Sequence, residues 1–173
     1  GVVIVKAYPA DKMKIAGVIS FQEENFDPQE IYLHGDKLIV IGASTSREVS
    51  DDKPALFAKR KSDFMRPGLV RTVIFDISDK ANIKKVREVE LDGSLISSRK
   101  TGSFLYIVAN KGVDSYLVRE KAEGILPTYR DTLLKDEFID IDYDKIYYFP
   151  DMAECSYLLI AAINLGSSEA PVN

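Results

Sequence analysis

Hydrophobic positions recur along this chain in short β-branched and aromatic runs, separated by Gly, Asp, Asn, Lys and Pro. That pattern predicts strands and turns rather than helices. Strands are expected over 2–7, 15–20, 30–34, 38–42, 72–77, 86–91, 95–99, 104–109, 145–149 and 157–165. Helical spacing is scarce. Residues 53–61 could hold one helical turn, and 80–84 read as a polar turn. Two tight turns, His34-Gly35-Asp36-Lys37 and Thr101-Gly102-Ser103, each put a glycine between strands where a positive φ is needed. Two long loops, about 44–68 and 111–144, interrupt the strands. Loops of that length in a compact domain are usually functional or mobile.

The chain repeats itself. Val3-Ile4-Val5-Lys6-Ala7 aligns with Val73-Ile74-Phe75-Asp76-Ile77 at an offset of 70 residues. Gly35-Asp36-Lys37-Leu38-Ile39-Val40 aligns with Gly102-Ser103-Phe104-Leu105-Tyr106-Ile107 at an offset of 67. A third copy starts at Ile163-Asn164-Leu165-Gly166-Ser167, which matches Phe75-Asp76-Ile77-Ser78-Asp79 at an offset of 88. Units of four antiparallel strands are the content of a propeller blade, with a usual period of about 40–50 residues. The extra length sits in the two loops. The fold expected is therefore all-β, with antiparallel four-stranded blades forming a partial β-propeller of two to three blades and long inserted loops. Residues 1–21 would end one blade, 30–92 would form a full blade, and 94–165 most of the next.

Five segments carry a family resemblance: Val73-Ile74-Phe75-Asp76-Ile77-Ser78-Asp79, Ile96-Ser97-Ser98-Arg99, Leu105-Tyr106-Ile107-Val108-Ala109-Asn110-Lys111, Leu126-Pro127-Thr128-Tyr129-Arg130-Asp131 and Tyr147-Tyr148-Phe149-Pro150-Asp151. Together they resemble the secreted bacterial and archaeal proteins with a C-terminal β-propeller domain, distantly related to WD-repeat propellers. Phe75-Asp76 looks like the aromatic-Asp pair that ends a WD-repeat strand, whereas Lys6-Ala7 and Ile163-Asn164 depart from it. The resemblance implies an extracellular or cell-surface location and further blades elsewhere in the parent. It brings no assigned activity. The chain opens inside a strand pattern at Gly1 and stops at Val172-Asn173, so it reads as a piece of a longer protein.

Composition narrows the function. A net charge of −4 argues against a nucleic-acid partner or an anionic-membrane surface. No apolar run is long enough for a transmembrane helix. One cysteine, Cys155, excludes an internal disulfide and a Cys-based zinc cluster. One histidine, His34, lies in a hairpin turn away from Ser97-Ser98-Arg99-Lys100, which argues against a Ser-His-Asp triad.

Three groups of residues could carry chemistry. Asp140, Asp142 and Asp144 form an Asp-x-Asp-x-Asp run with Asp151 at the twelfth position, a spacing able to wrap Ca²⁺. Lys145 stands where a calcium loop wants Gly, and Asp151 where it wants Glu. The competing reading is a strand approach with Ile139, Ile141 and Tyr143 inward and the aspartates outward. Tyr129, Arg130 and Asp131 could fork onto and stack against a sugar, or could latch the loop to a blade edge. Tyr147 and Tyr148, with Tyr143 and Tyr157, supply aromatic surface, either packed between blades or offered as a ligand platform. The basic set Lys59-Arg60-Lys61, Arg66 and Arg71 reads as a solvated loop face, the alternative being a contact for an anionic polymer such as a wall polysaccharide.

With no catalytic constellation, the function expected is non-enzymatic: an extracytoplasmic scaffold or binding module presenting loops to a protein or glycan. The alternative is a propeller hydrolase or lyase acting on polysaccharide, with carboxylates and Arg/Tyr at the ring mouth. No cofactor is expected beyond Ca²⁺ at the aspartate run. Open blade edges would favour a homo-oligomer.

Overall fold

A computed structural model describes residues 1–22, 24–44, 68–113, 126–151, 156–167 and 169–173. These residues form eleven strands in three antiparallel sheets, and no sheet closes on itself. Strands β1 (Val2–Lys6) and β2 (Lys14–Ile19) pair as one sheet. Strands β3 (Phe26–His34), β4 (Lys37–Ser44), β5 (Leu69–Asp76) and β6 (Lys84–Asp92) follow one another across a second sheet. Strands β7 (Ser94–Thr101), β8 (Phe104–Gly112) and β11 (Ser156–Asn164) make the third. Among the described residues no helix is long and apolar enough to cross a membrane.

The expected strands recur with boundaries shifted by a few residues, apart from 145–149. That segment holds no strand: Tyr143–Lys145 forms a 3₁₀ turn and the residues after it run unpaired. Its aromatic composition favours strand only where a neighbouring strand exists to pack against. Conversely, the stretch read as one loop over 111–144 contains a hairpin, β9 (Thr128–Asp131) and β10 (Lys135–Asp140). This hairpin arises between β8 and β11 of the third sheet. It adds to the edge of the second through β6, making the order β10-β9-β6-β5-β4-β3. The helical turn expected at 53–61, the basic triplet at 59–61 and Cys155 lie outside the described residues.

The second sheet is buried on both faces because β4 and β5 alternate between two cores. Ile39, Ile41, Val70 and Ile74 meet Leu105, Ile107, Leu159 and Ile163 of the third sheet. Leu38, Val40, Val73 and Phe75 meet Ile19, Phe21 and Phe26 on the opposite face. Near-continuous apolar strands are what two-sided burial demands.

The repeats appear as matching hydrogen bonds. Ile77 N–H donates to Asp36 O at 2.8 Å, and Leu165 N–H to Ser103 O at 2.8 Å. Asp76 Oδ1 accepts from Ser78 N–H, just as Asn164 Oδ1 accepts from Gly166 N–H. Both flanks remain open. Val3, Val5, Ile15 and Val18 are exposed on the first sheet, and Ile96, Leu158 and Ile160 on the third.

Two glycines separate conformational need from space. Gly35 sits at φ 59° in the β3–β4 turn with open space where a Cβ would go, whereas Gly93, at φ 103°, has Asn110 O 2.3 Å from that position. Gly35→Ala is expected to cost about 1–2 kcal/mol, the left-handed penalty alone. Gly93→Ala is expected to cost clearly more, because backbone must also move. Urea unfolding midpoints of the two variants test the order; equal losses would remove the steric contribution.

Candidate functional site

Pairing with β6 decides where the Tyr129-Arg130-Asp131 triplet points. Asp131 lies opposite Val89, Arg130 opposite Glu90, and Tyr129 opposite Leu91. Side chains alternate faces along a strand, so Tyr129 and Asp131 share the face that holds Val89 and Leu91. Tyr129 packs against that core, partly buried. Asp131 is fully buried and accepts a fork from Arg87, at 3.0 Å from Nε and 2.6 Å from Nη2. It also accepts the N–H of Leu133 at 3.1 Å and of Val172 at 2.9 Å.

Arg130 points to the other face. Its Nε donates to Glu90 at 2.7 Å, its Nη2 to Glu88 and its Nη1 to Asp136. Glu88 also accepts from Arg71 at 2.8 Å and from Lys85 at 3.0 Å. Arg71, read from the sequence as part of a solvated basic loop, is in fact buried in β5. There it pairs with Glu24 at 2.7 Å and lies over the Phe26 ring at 5.3 Å from the centroid. Arg130 with Glu88 and Glu90, and Arg87 with Asp131, thus bind the β9–β10 hairpin to the rest of the sheet. The triplet forms a latch within the fold.

Tyr147 and Tyr148 behave in the opposite way. Ile141, half-buried against the core, donates its N–H to Pro127 O at 2.9 Å and fixes the start of the segment beyond β10. After it, Tyr143, Tyr147, Tyr148 and Phe149 stand 76%, 90%, 85% and 78% exposed. The aspartates flank this strip. Asp140 ends β10, Asp142 and Asp144 border or enter the 3₁₀ turn, and Asp151 adopts φ 70°; all are exposed. Among the described residues no three His, Cys, Asp or Glu side chains gather to hold a metal ion.

Sequence reasoning missed the partners of Arg130. Their signal was Glu88-Val89-Glu90-Leu91-Asp92, carboxylates at every second position of a strand, which reads as a solvent face until a second layer covers it. It also missed Glu30 and Tyr32. The Ser98 hydroxyl donates to the Glu30 carboxylate and lies 2.8 Å from Tyr32 Oη, joining β3 to β7.

The family described as Beta propeller domain has a model that matches residues 1–173. The chain belongs to this β-propeller family. No curated protein and no solved structure matches it. The open sheets are thus a partial propeller, and the hairpin latch ties two neighbouring sheets of it together.

Burial would raise the Glu88 pKa, but hydrogen bonds and charge from Arg71 and Lys85 override it and hold the carboxyl down at about 2, from an ordinary 4.5. Burial would likewise lower the Arg130 pKa, and Glu90 and Glu88 raise it instead. A depressed carboxylate contributes stability above its unfolded pKa and loses it as pH falls toward the folded value. The propeller is therefore expected to lose stability as pH falls from about 4.5 to about 2. Glu88→Gln should already be weaker at neutral pH by about 3–5 kcal/mol and show a shallower loss across that window. Denaturant titrations at stepped pH measure both; identical slopes would assign the acid sensitivity elsewhere.

Proposed function

We propose that this chain is an extracytoplasmic β-propeller scaffold whose 141–151 segment presents a tyrosine-rich surface to a glycan. One observation carries the reading: Tyr143, Tyr147, Tyr148 and Phe149 stand at least three-quarters exposed within one short segment. Single exposed hydrophobics are ordinary, but a cluster marks a contact surface. Tyrosine offers an apolar ring face and a polar hydroxyl together, which suits the C–H faces and hydroxyls of sugar rings. The exposed carboxylates of Asp142, Asp144 and Asp151 add hydrogen-bond acceptors beside the rings. The extracytoplasmic placement rests on the resemblance to secreted propeller proteins. Binding is favoured over hydrolase or lyase chemistry because Arg130 and Asp131 are committed to internal ion pairs.

Tyr147→Ala combined with Tyr148→Ala should weaken glycan binding at least tenfold. Both positions are exposed, so the melting temperature should stay within about 2 °C of the parent chain. A polysaccharide and glycan array probed with both proteins gives the answer. Equal signals, or a partner that proves to be a protein with no glycan retained, would overturn the reading.

The open flanks support a second assignment, association with another copy of this chain. Val3, Val5, Ile15 and Val18 on one flank and Ile96, Leu158 and Ile160 on the other are exposed rows of the type buried between the internal sheets. Light scattering across a concentration series should show mass rising above that of the monomer, and Ile160→Lys should reduce it. A monomer at every concentration would remove the assignment.

A further inference from the structure

A cleft of about 480 Å³ lies between the second and third sheets, within the ~300–1,000 Å³ of small-molecule sites. It opens at the end of the molecule carrying the β3–β4 and β5–β6 turns and the turn after β11. The tyrosine strip starts near Pro127, at the opposite end of the β9–β10 hairpin. The cleft is therefore separate from that strip, and the inference does not rest on it.

Its walls are aliphatic, formed by Ile74, Val86, Leu133 and Leu165. Eight of its twelve lining residues are polar or charged, and four of these are held in place. Lys37 Nζ donates to Leu165 O at 2.6 Å, bridging the two sheets. Asp76 and Asn164, equivalent residues of the repeat, face the same space, each with one side-chain oxygen fixed by the N–H two residues on. Arg87 also lines the cleft although only 6% exposed. Its Nε and Nη2 are spent on Asp131. Its Nη1 has no hydrogen-bond partner among the described residues and is not among the enclosed unpaired atoms. A buried guanidinium thus offers donors where a ligand would sit.

We propose that this cleft binds a neutral, hydroxyl-rich molecule of mono- or disaccharide size. The chemistry of the lining selects it. Arg87 requires an acceptor, while Asp36 and Asp76 require donors, and a sugar hydroxyl supplies both. With Arg87 neutralised by Asp131, Lys37 stands against Asp36 and Asp76, so the charged lining sums to −1. An anion therefore gains no net attraction, and a cation would have to share the carboxylates with the Lys37 ammonium. The aliphatic walls accept the C–H face of a sugar ring.

Amide chemical shifts followed during titration with glucose, galactose, mannose, maltose and cellobiose test the proposal, with glucuronate and glycine as charged competitors. At least one neutral sugar should produce saturable shifts at Gly35, Ser78, Leu133 and Gly166. Asp76→Asn should weaken binding about tenfold. Leu133→Trp, at a partly exposed turn position, fills the cleft without touching the core and should abolish binding with the melting temperature retained. The Tyr147→Ala, Tyr148→Ala protein should bind as the parent does, which separates this site from the strip. No cleft shifts with any neutral sugar, shifts with glucuronate or glycine alone, or unchanged binding in Leu133→Trp would each overturn it.

Discussion

Strand β6 places Glu88 and Glu90 inside the protein, and much of the molecule follows from having to neutralise them. An unpaired buried carboxylate costs several kcal/mol, so each must be met by a cation and hydrogen bonds. Arg71 comes from the adjacent strand. Arg130 comes from 42 residues beyond Glu88 and 40 beyond Glu90, and it reaches both because β9 pairs along β6. On the opposite face Arg87 and Asp131 impose the same geometry, and Val172 N–H then completes Asp131. The hairpin also covers an edge that would otherwise expose a row of backbone groups. What replaces it as the outer edge is β10, whose Lys135, Asp136 and Glu137 are charged.

Strands with strict alternation and glycine-punctuated turns could be read directly from the sequence. At 38–41 and 73–75 the apolar residues were continuous, and β-branched content with flanking turns sufficed. The matched offset of the second and third copies was legible because both end their strand on the same small turn, Asp76 with Ser78 and Asn164 with Gly166. The β9–β10 hairpin was not legible. Thr128-Tyr129-Arg130-Asp131 has only one aromatic, and Lys135–Asp140 starts with three charged residues. Its strands exist because distant carboxylates and a sheet edge receive them, and single-sequence periodicity carries no trace of that. The reverse error at 145–149 has the same root. Aromatic, β-branched composition was present there, and among the described residues a partner strand was not.

Of the candidate residues, Arg130 and Asp131 had two readings in sequence. The pairing register sets Asp131 opposite Val89 and Arg130 opposite Glu90, where both are engaged in ion pairs within the sheet. Tyr147 and Tyr148 follow an anchored isoleucine but have no neighbouring strand among the described residues, so the same local composition ends up presented outward. The polar lining of the cleft was invisible for another reason. His34, Asp36, Asp76, Arg87 and Asn164 come from three separate turn regions and one strand, so nothing in the sequence brings them together.

The route of the β9–β10 hairpin bears on how the molecule assembles. In a simple repeat array each unit completes itself and touches only its neighbours, so stability is approximately a sum of local contributions and folding can proceed unit by unit. Here the second sheet borrows its last two strands from within the third. A growing chain cannot finish that sheet until it has been made through Asp140, well after β7 and β8 have emerged. The second and third sheets are therefore coupled, because Glu88, Glu90 and Asp131 of the second keep their partners only while the hairpin that leaves the third is in place.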